Sequence, residues 1–150
     1  MAQSLFKLYI HIVFSTKHRQ PIIYPEIEAI LYSYMAGICK NLGGPAVKIG
    51  GHLNHTHILC LFPKDILFVK YIEKVKGGPS LWIKTQGEKY KNFYWQDGYG
   101  AFSVANDDVN RLSSYIENQH KRHQRESFED EYLGILKKSG VDYDERYLWG

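Results

Sequence analysis

Between residues 6 and 14 every even position is apolar, Phe6, Leu8, Ile10, Ile12 and Phe14, while Lys7, Tyr9, His11 and then Ser15 stand between them. A period of two suits an extended strand with one face in a core, and such a strand needs partner strands and a covering layer. The rest of the chain supplies both. Pro25 opens a helical pattern carrying Ile27, Ile30, Leu31, Tyr34, Ile38 and Leu42, which Gly43-Gly44 stops. Residues 47–49 and 55–62 read as two strands of a hairpin, separated by Gly50-Gly51 and a polar turn at Asn54. Asp65 is placed to cap a second helix through Val69, Ile72 and Val75, which Gly77-Gly78-Pro79 is expected to break before a segment containing Trp82. Residues 93–104 suggest an approach loop and then a short strand over 101–104.

Asn106 or Asp107 then caps a helix through Val109, Leu112, Ile116 and Gln119 into a basic end, a charge order that suits the helix dipole. Ser127 and Asp130 resemble a capping arrangement for a last helix to about Lys138, which Gly140 ends. The tail holds Tyr143, Tyr147, Leu148 and Trp149, apolar enough to dock, a second subunit being one possible surface. The order β-α-β-β-α-β followed by helices is the α+β, ferredoxin-like split β-α-β arrangement, an antiparallel sheet with helices on one face and the other face free for a site.

At 150 residues and 44% hydrophobic the chain suits one domain, 1–150, of which 127–150 is a C-terminal helix and tail. No apolar stretch approaches the roughly 20 residues that cross a bilayer, and the N-terminus lacks a signal peptide's apolar core, so a cytoplasmic protein without a membrane partner is expected. Cys39 and Cys60 are not paired like a redox or zinc motif and read as reduced core thiols. Residues 1–125 hold 16 Lys or Arg against 9 Asp or Glu, a net of +7, whereas residues 126–150 hold 3 against 7, a net of −4. This asymmetry suits a polyanion as partner for the body and not for the tail, although charge alone does not establish nucleic-acid binding.

His55 and His57 are two apart on a strand and project from one face, with Thr56, Ile58, Cys60 and Phe62 on the other. Two imidazoles on a rigid strand can hold a cation, although a lone His-x-His is better explained by one packed and one exposed histidine. Tyr115 and Gln119, four apart, share a helix face beside the core stripe Val109, Leu112 and Ile116. Taken alone this pair reads as a boundary aromatic and a solvated amide. It is the combination with the histidines that suggests a site.

Five stretches together resemble the small HUH-type, single-tyrosine transposases of bacterial and archaeal insertion sequences, the IS-two-hundred-like group: His11-Ile-Val-Phe-Ser-Thr-Lys-His-Arg19, Asn54-His-Thr-His-Ile-Leu59, Trp95-Gln-Asp-Gly-Tyr-Gly-Ala-Phe-Ser-Val104, Tyr115-Ile-Glu-Asn-Gln119 and Ser127-Phe-Glu-Asp-Glu-Tyr132. The resemblance implies that His55, His57 and Gln119 hold a divalent metal, magnesium first and manganese second, and that Tyr115 is a covalent nucleophile on single-stranded DNA. It further implies recognition of hairpins near element ends, a homodimer, and a prokaryotic, nucleoid-associated place of action. Thr56 departs from the family, where the residue between the histidines is a bulky hydrophobe, and a small packing defect is expected there. Gly77-Gly78 is a second departure.

Free tyrosine has a pKa of about 10, so attack needs a metal field or a base, and the sequence identifies no base. Two imidazoles and an amide oxygen would also accept zinc. Expected DNA contacts are Lys17 and Arg19 after the first strand, Lys84, Lys89 and Lys91 before the aromatic loop, and Lys121, Arg122 and Arg125 at the end of the tyrosine helix. Tyr90, Phe93, Tyr94 and Trp95 are candidates for base stacking and equally for core. Rival readings are a non-catalytic single-stranded nucleic-acid-binding module, a hydrolase using metal-activated water, and a domesticated repeat-associated nuclease with the same tyrosine chemistry.

Overall fold

A computed structural model describes residues 2–150. Four strands, β1 (Tyr9–Ser15), β2 (Ala46–His52), β3 (His55–Leu61) and β4 (Gly100–Val104), form one sheet in the order β2-β3-β1-β4 with every pairing antiparallel. With helix α1 (Pro25–Asn41) between β1 and β2, and α2 (Phe68–Ile83) between β3 and β4, this is the expected split β-α-β sheet. The first strand starts at Tyr9 rather than residue 6, and Phe6 and Leu8 are exposed, because the alternation runs past the last residue that has a strand partner.

The even residues Ile10, Ile12 and Phe14, with Ile58 and Cys60, face α1 and α2 over the main core. Thr56 points to that side too. Its hydroxyl donates to the Gly50 carbonyl at 3.3 Å, so the polar atom in the family's apolar position is buried with a hydrogen-bond partner. The α2 helix runs through Gly77-Gly78-Pro79 without the expected break, and its N-cap is Leu67 rather than Asp65. Packing overrides propensity at that point: Gly78 lies so close to α1 that a Cβ would stand 2.7 Å from Ile38 Cδ1, and Pro79 is buried.

The sheet's other face is occupied. It is covered by α3 (Val109–Glu117), α4 (Gln119–Arg122) and α5 (Phe128–Ser139), and Phe128, Tyr132 and Leu136 of α5 form a second core with Val13. Ser127 Oγ accepts from Asp130 N–H at 3.1 Å and Gly140 closes α5 in the left-handed conformation, both as the sequence suggests. At the other helix start neither Asn106 nor Asp107 caps; a 3-10 turn, Asn106–Asp108, leads into α3 with no side-chain cap bond. The short helix α6 (Glu145–Leu148) brings Leu148 and Trp149 back onto the second core, so the apolar tail docks on its own domain. Among the described residues no helix is long and apolar enough to cross a membrane.

Candidate active site

The strand register places His57 opposite Val13 and His55 opposite Ser15 on the face away from α1 and α2. Helix α3 is held close above them. A Cβ on Gly50 would lie 2.5 Å from the Ile116 carbonyl oxygen, so only glycine lets α3 approach β2 this closely. The helical path breaks at Asn118, and Gln119 begins α4. Tyr115 and Gln119 nevertheless converge, since both side chains donate to Glu131 Oε2, Gln119 Nε2 at 2.9 Å. The Tyr115 ring sits 5.8 Å from that of His57, within the same chain.

The structure thus brings His55, His57, Gln119 and Tyr115 together and adds three residues that the sequence reading gave no role. Glu131, on α5, sends Oε1 to within 3.4 Å of His55 Nε2, 3.3 Å of His57 Nε2 and 3.1 Å of His123 Nε2. His123 Nε2 also lies 2.9 Å from Gln119 Oε1, as does His55 Nε2. His11, on β1, meets His57 Nδ1 through its Nε2 at 2.9 Å. Signals for them existed. Glu131 is the one charged residue among the buried positions of α5, and His123 follows Gln119 by four, the spacing of neighbours on a helix.

Hydrogen bonds on the outer nitrogens fix how these rings face the centre. Asn54 Nδ2 donates to the Arg19 carbonyl at 3.4 Å, which turns Oδ1 to accept from His55 Nδ1–H at 2.8 Å. His123 Nδ1–H donates to the Glu126 carbonyl at 2.7 Å. His55 in its neutral form then aims an Nε2 lone pair inward, towards amide and carboxylate oxygens that are acceptors themselves, while His123 Nε2 faces the same oxygens beside the Glu131 carboxylate. Facing lone pairs require a proton or a cation between them. Burial lowers His55 to about 4, so its ring stays neutral at pH 7. Burial also lowers His11, to about 3, with the neighbouring His57 adding to the effect. For His123 burial acts downward too, but the hydrogen bond and charge of Glu131 outweigh it and raise the pKa above the usual histidine value. Burial likewise works against ionising Glu131, yet its bonds to His123, His55 and His57 hold the carboxyl far below the usual range.

His55, His57 and Glu131 offer three buried donor atoms within 4.8 Å of one another. Separations of 2.9–3.4 Å around the cluster are those of donors sharing one ion at roughly 2.1 Å, so the residues fit a divalent cation. Beside it lies a cavity of about 650 Å³ lined by Tyr115, Glu131, His11, Arg111, Arg122 and Lys138 among others. The Arg122 guanidinium stands 4.8 Å over the Tyr115 ring and 3.5 Å from Glu131. Tyr115 is half-buried, and burial together with the adjacent Glu131 charge raises its pKa, so the resting side chain is a phenol.

The other basic residues are scattered. Lys121 and Arg125 flank Arg122 in a second cavity, and Arg19 lies 5.0 Å over the Trp149 ring and 3.9 Å from Glu129. Lys17 is exposed in the turn after β1. Lys84, Lys89 and Lys91 belong to the far layer with α1 and α2: Lys84 bonds Ser80 and covers Tyr94, Lys89 pairs with Glu26, and Lys91 lies 3.8 Å from Glu88. Tyr90, Phe93 and Trp95 are core, which leaves Tyr94 as the exposed aromatic of that group.

Residues 4–119 match the family described as "Transposase IS200 like". Among solved structures, a putative transposase from Deinococcus radiodurans R1 is similar at 19% identity and a TM-score of 0.62, covering 79% of this chain and 98% of that one. A REP-associated tyrosine transposase bound to a REP hairpin is similar at 14% identity and a TM-score of 0.61, covering 82% and 73%. No curated protein matches the chain. The sheet, its helices and the sequence match over residues 4–119 agree: the chain belongs to the IS200-like transposase family.

Proposed function

We propose that this transposase cuts and rejoins single-stranded DNA through a 5′-phosphotyrosyl link on Tyr115, the whole of residues 1–150 acting as one domain. The observation that carries the reading is the meeting, in one chain, of the Tyr115 hydroxyl with Glu131, itself within 3.4 Å of both motif histidines. A divalent cation held by His55, His57 and Gln119, with Glu131, would put positive charge on the scissile phosphate; magnesium and manganese are the ions expected.

The chain's own groups do the rest. Tyr115 oxygen, oriented by its hydrogen bond to Glu131 Oε2, attacks phosphorus and gives its proton to solvent, while the bond from phosphorus to the 3′ oxygen breaks and that oxygen leaves as a hydroxyl after taking a proton from solvent. One phosphoester replaces another, so a second 3′-hydroxyl reverses the step and joins strands without an energy source. Arg122, Arg111 and Lys138 line the cavity beside the nucleophile and suit the phosphates on either side of the cut.

Lys121 and Arg125 extend that basic rim, and Lys17 and Arg19 offer phosphate contacts at the turn after β1. Lys84, Lys89 and Lys91, in the far layer, would meet only DNA that wraps beyond the strand being cut. The similar transposase bound to a REP hairpin supports a folded single strand as substrate. Homodimerisation belongs to the same reading as a way to hold two DNA ends, since one chain already gathers the donors and the nucleophile. Cytoplasmic, nucleoid-associated action in a prokaryotic cell follows from that role.

The test is incubation of labelled hairpin-bearing single-stranded DNA with protein and magnesium or manganese, followed by denaturing electrophoresis. A metal-dependent protein–DNA band in wild type and none in Tyr115→Phe is expected. Cleavage without an adduct in both proteins would replace the reading with hydrolysis by water.

A further inference from the structure

We propose that His123 is a further metal ligand, and that with His55, His57 and Glu131 it makes this centre select transition-metal ions of the manganese, cobalt and zinc class over magnesium. The inference rests on the proposed reading that the histidine cluster holds a divalent ion, and it changes which ion that is.

Two observations place His123 in the donor set. Its Nε2 is 2.9 Å from Gln119 Oε1 and 3.1 Å from Glu131 Oε1, the two oxygens nearest the motif histidines. Its side chain is 3% exposed, and its Nδ1–H is committed to the Glu126 carbonyl, so Nε2 is the atom turned inward, where a cation would take the place of a proton shared with Glu131. An outer hydrogen bond that sets the tautomer and orients the ring is the usual support of a ligating histidine. His55 is held the same way by Asn54.

The donor chemistry then decides the ion. Magnesium favours oxygen ligands, gives up water reluctantly and is ordinarily held by one or two carboxylates. Imidazole nitrogens suit the later divalent metals, whose affinity for nitrogen sites rises along the series from manganese to copper. Three imidazoles, one carboxylate and one amide oxygen, all buried, match the second class. His123 and Glu131 follow Gln119 in the chain, so α5 and the turn before it complete a donor set begun by β3 and α4.

The experiment is calorimetric titration of the chelator-treated full chain with manganese and, separately, magnesium chloride, in wild type and His123→Ala. In parallel, the nitrogen NMR shift of His123 Nε2 is followed in wild type on adding zinc. The expected result is manganese binding tighter than magnesium binding and weakened by about 10–100-fold in His123→Ala, while magnesium affinity changes little. The His123 Nε2 resonance should move to a metal-bound position, a readout that does not depend on the variant folding. Equal manganese affinity in both proteins, or a His123 Nε2 that keeps its proton when zinc occupies the site, overturns the inference and leaves the tyrosine reading intact. Absence of any divalent binding to wild type overturns both this inference and the metal centre it rests on.

Discussion

The Tyr115 hydroxyl donates a hydrogen bond to Oε2 of Glu131, while Oε1 of the same carboxylate lies 3.3 Å from His57 Nε2. One side chain on α5 therefore joins Tyr115 to the histidine cluster. Glu131→Gln keeps the shape of the group and removes its charge and basicity. Formation of the tyrosyl adduct should slow by roughly 10–100-fold, because the amide neither orients the hydroxyl as strongly nor supplies the charge that the histidine cluster needs, with folding retained by circular dichroism. An unchanged adduct rate would reduce Glu131 to a structural partner.

Gly50 holds α3 at the distance the site needs. In Gly50→Ala the new Cβ would meet the Ile116 carbonyl at 2.5 Å and Ile116 Cγ2 at 2.8 Å, and neither backbone can yield cheaply. Urea unfolding should show a loss of about 1–3 kcal/mol, and adduct yield should fall as well because Tyr115 and Gln119 ride on the displaced helix. Full activity with lowered stability would show that the site tolerates the shift.

How far the sequence reached is visible residue by residue. The period-two stripe of β1 and the hairpin carrying His55 and His57 could be read directly, because one buried face leaves a signal in alternation. Tyr115 and Gln119 were recognisable through their spacing and the resemblance. Glu131 was not, since a carboxylate inside an amphipathic helix reads as solvated until the histidines that neutralise it are seen across the chain. His11 lies on the face that alternation leaves without a partner, and nothing local shows that α5 returns to cover it. The expected break at Gly77-Gly78-Pro79 failed because contact with Ile38 on α1 compensates a poor helix former, and such contacts are not written in local propensity.

Tyr115 and the histidines meet within a single chain, which fixes an expectation for mixed samples. Tyr115→Phe and His57→Ala each lack one part of the site. Mixing the two inactive proteins should restore no adduct, since no chain then holds a complete set. Recovered activity on native mixing, read by the same denaturing gel, would mean that the tyrosine helix of one copy serves the cluster of another.

Both thiols are buried, and burial pushes Cys60 up to about 11 from an ordinary value of 9.0. The folded chain keeps this proton where the unfolded chain releases it. The resulting stabilisation is complete below pH 9 and is lost as pH rises towards 11, on the order of 2 kcal/mol. Urea midpoints measured from pH 8 to 10.5 should fall more steeply in wild type than in Cys60→Ala, and parallel curves would contradict the shift.

The central claim is that Tyr115 becomes covalently attached to the 5′ side of a cut strand. Mass spectrometry of the protease-digested adduct tests it most directly, after reaction with hairpin-bearing single-stranded DNA and manganese. The peptide spanning residues 112–121 should carry the 5′-phosphate of the cut strand on Tyr115, with a free 3′-hydroxyl on the released strand. A nucleotide on another residue, or cut ends with no modified peptide at all, would contradict it.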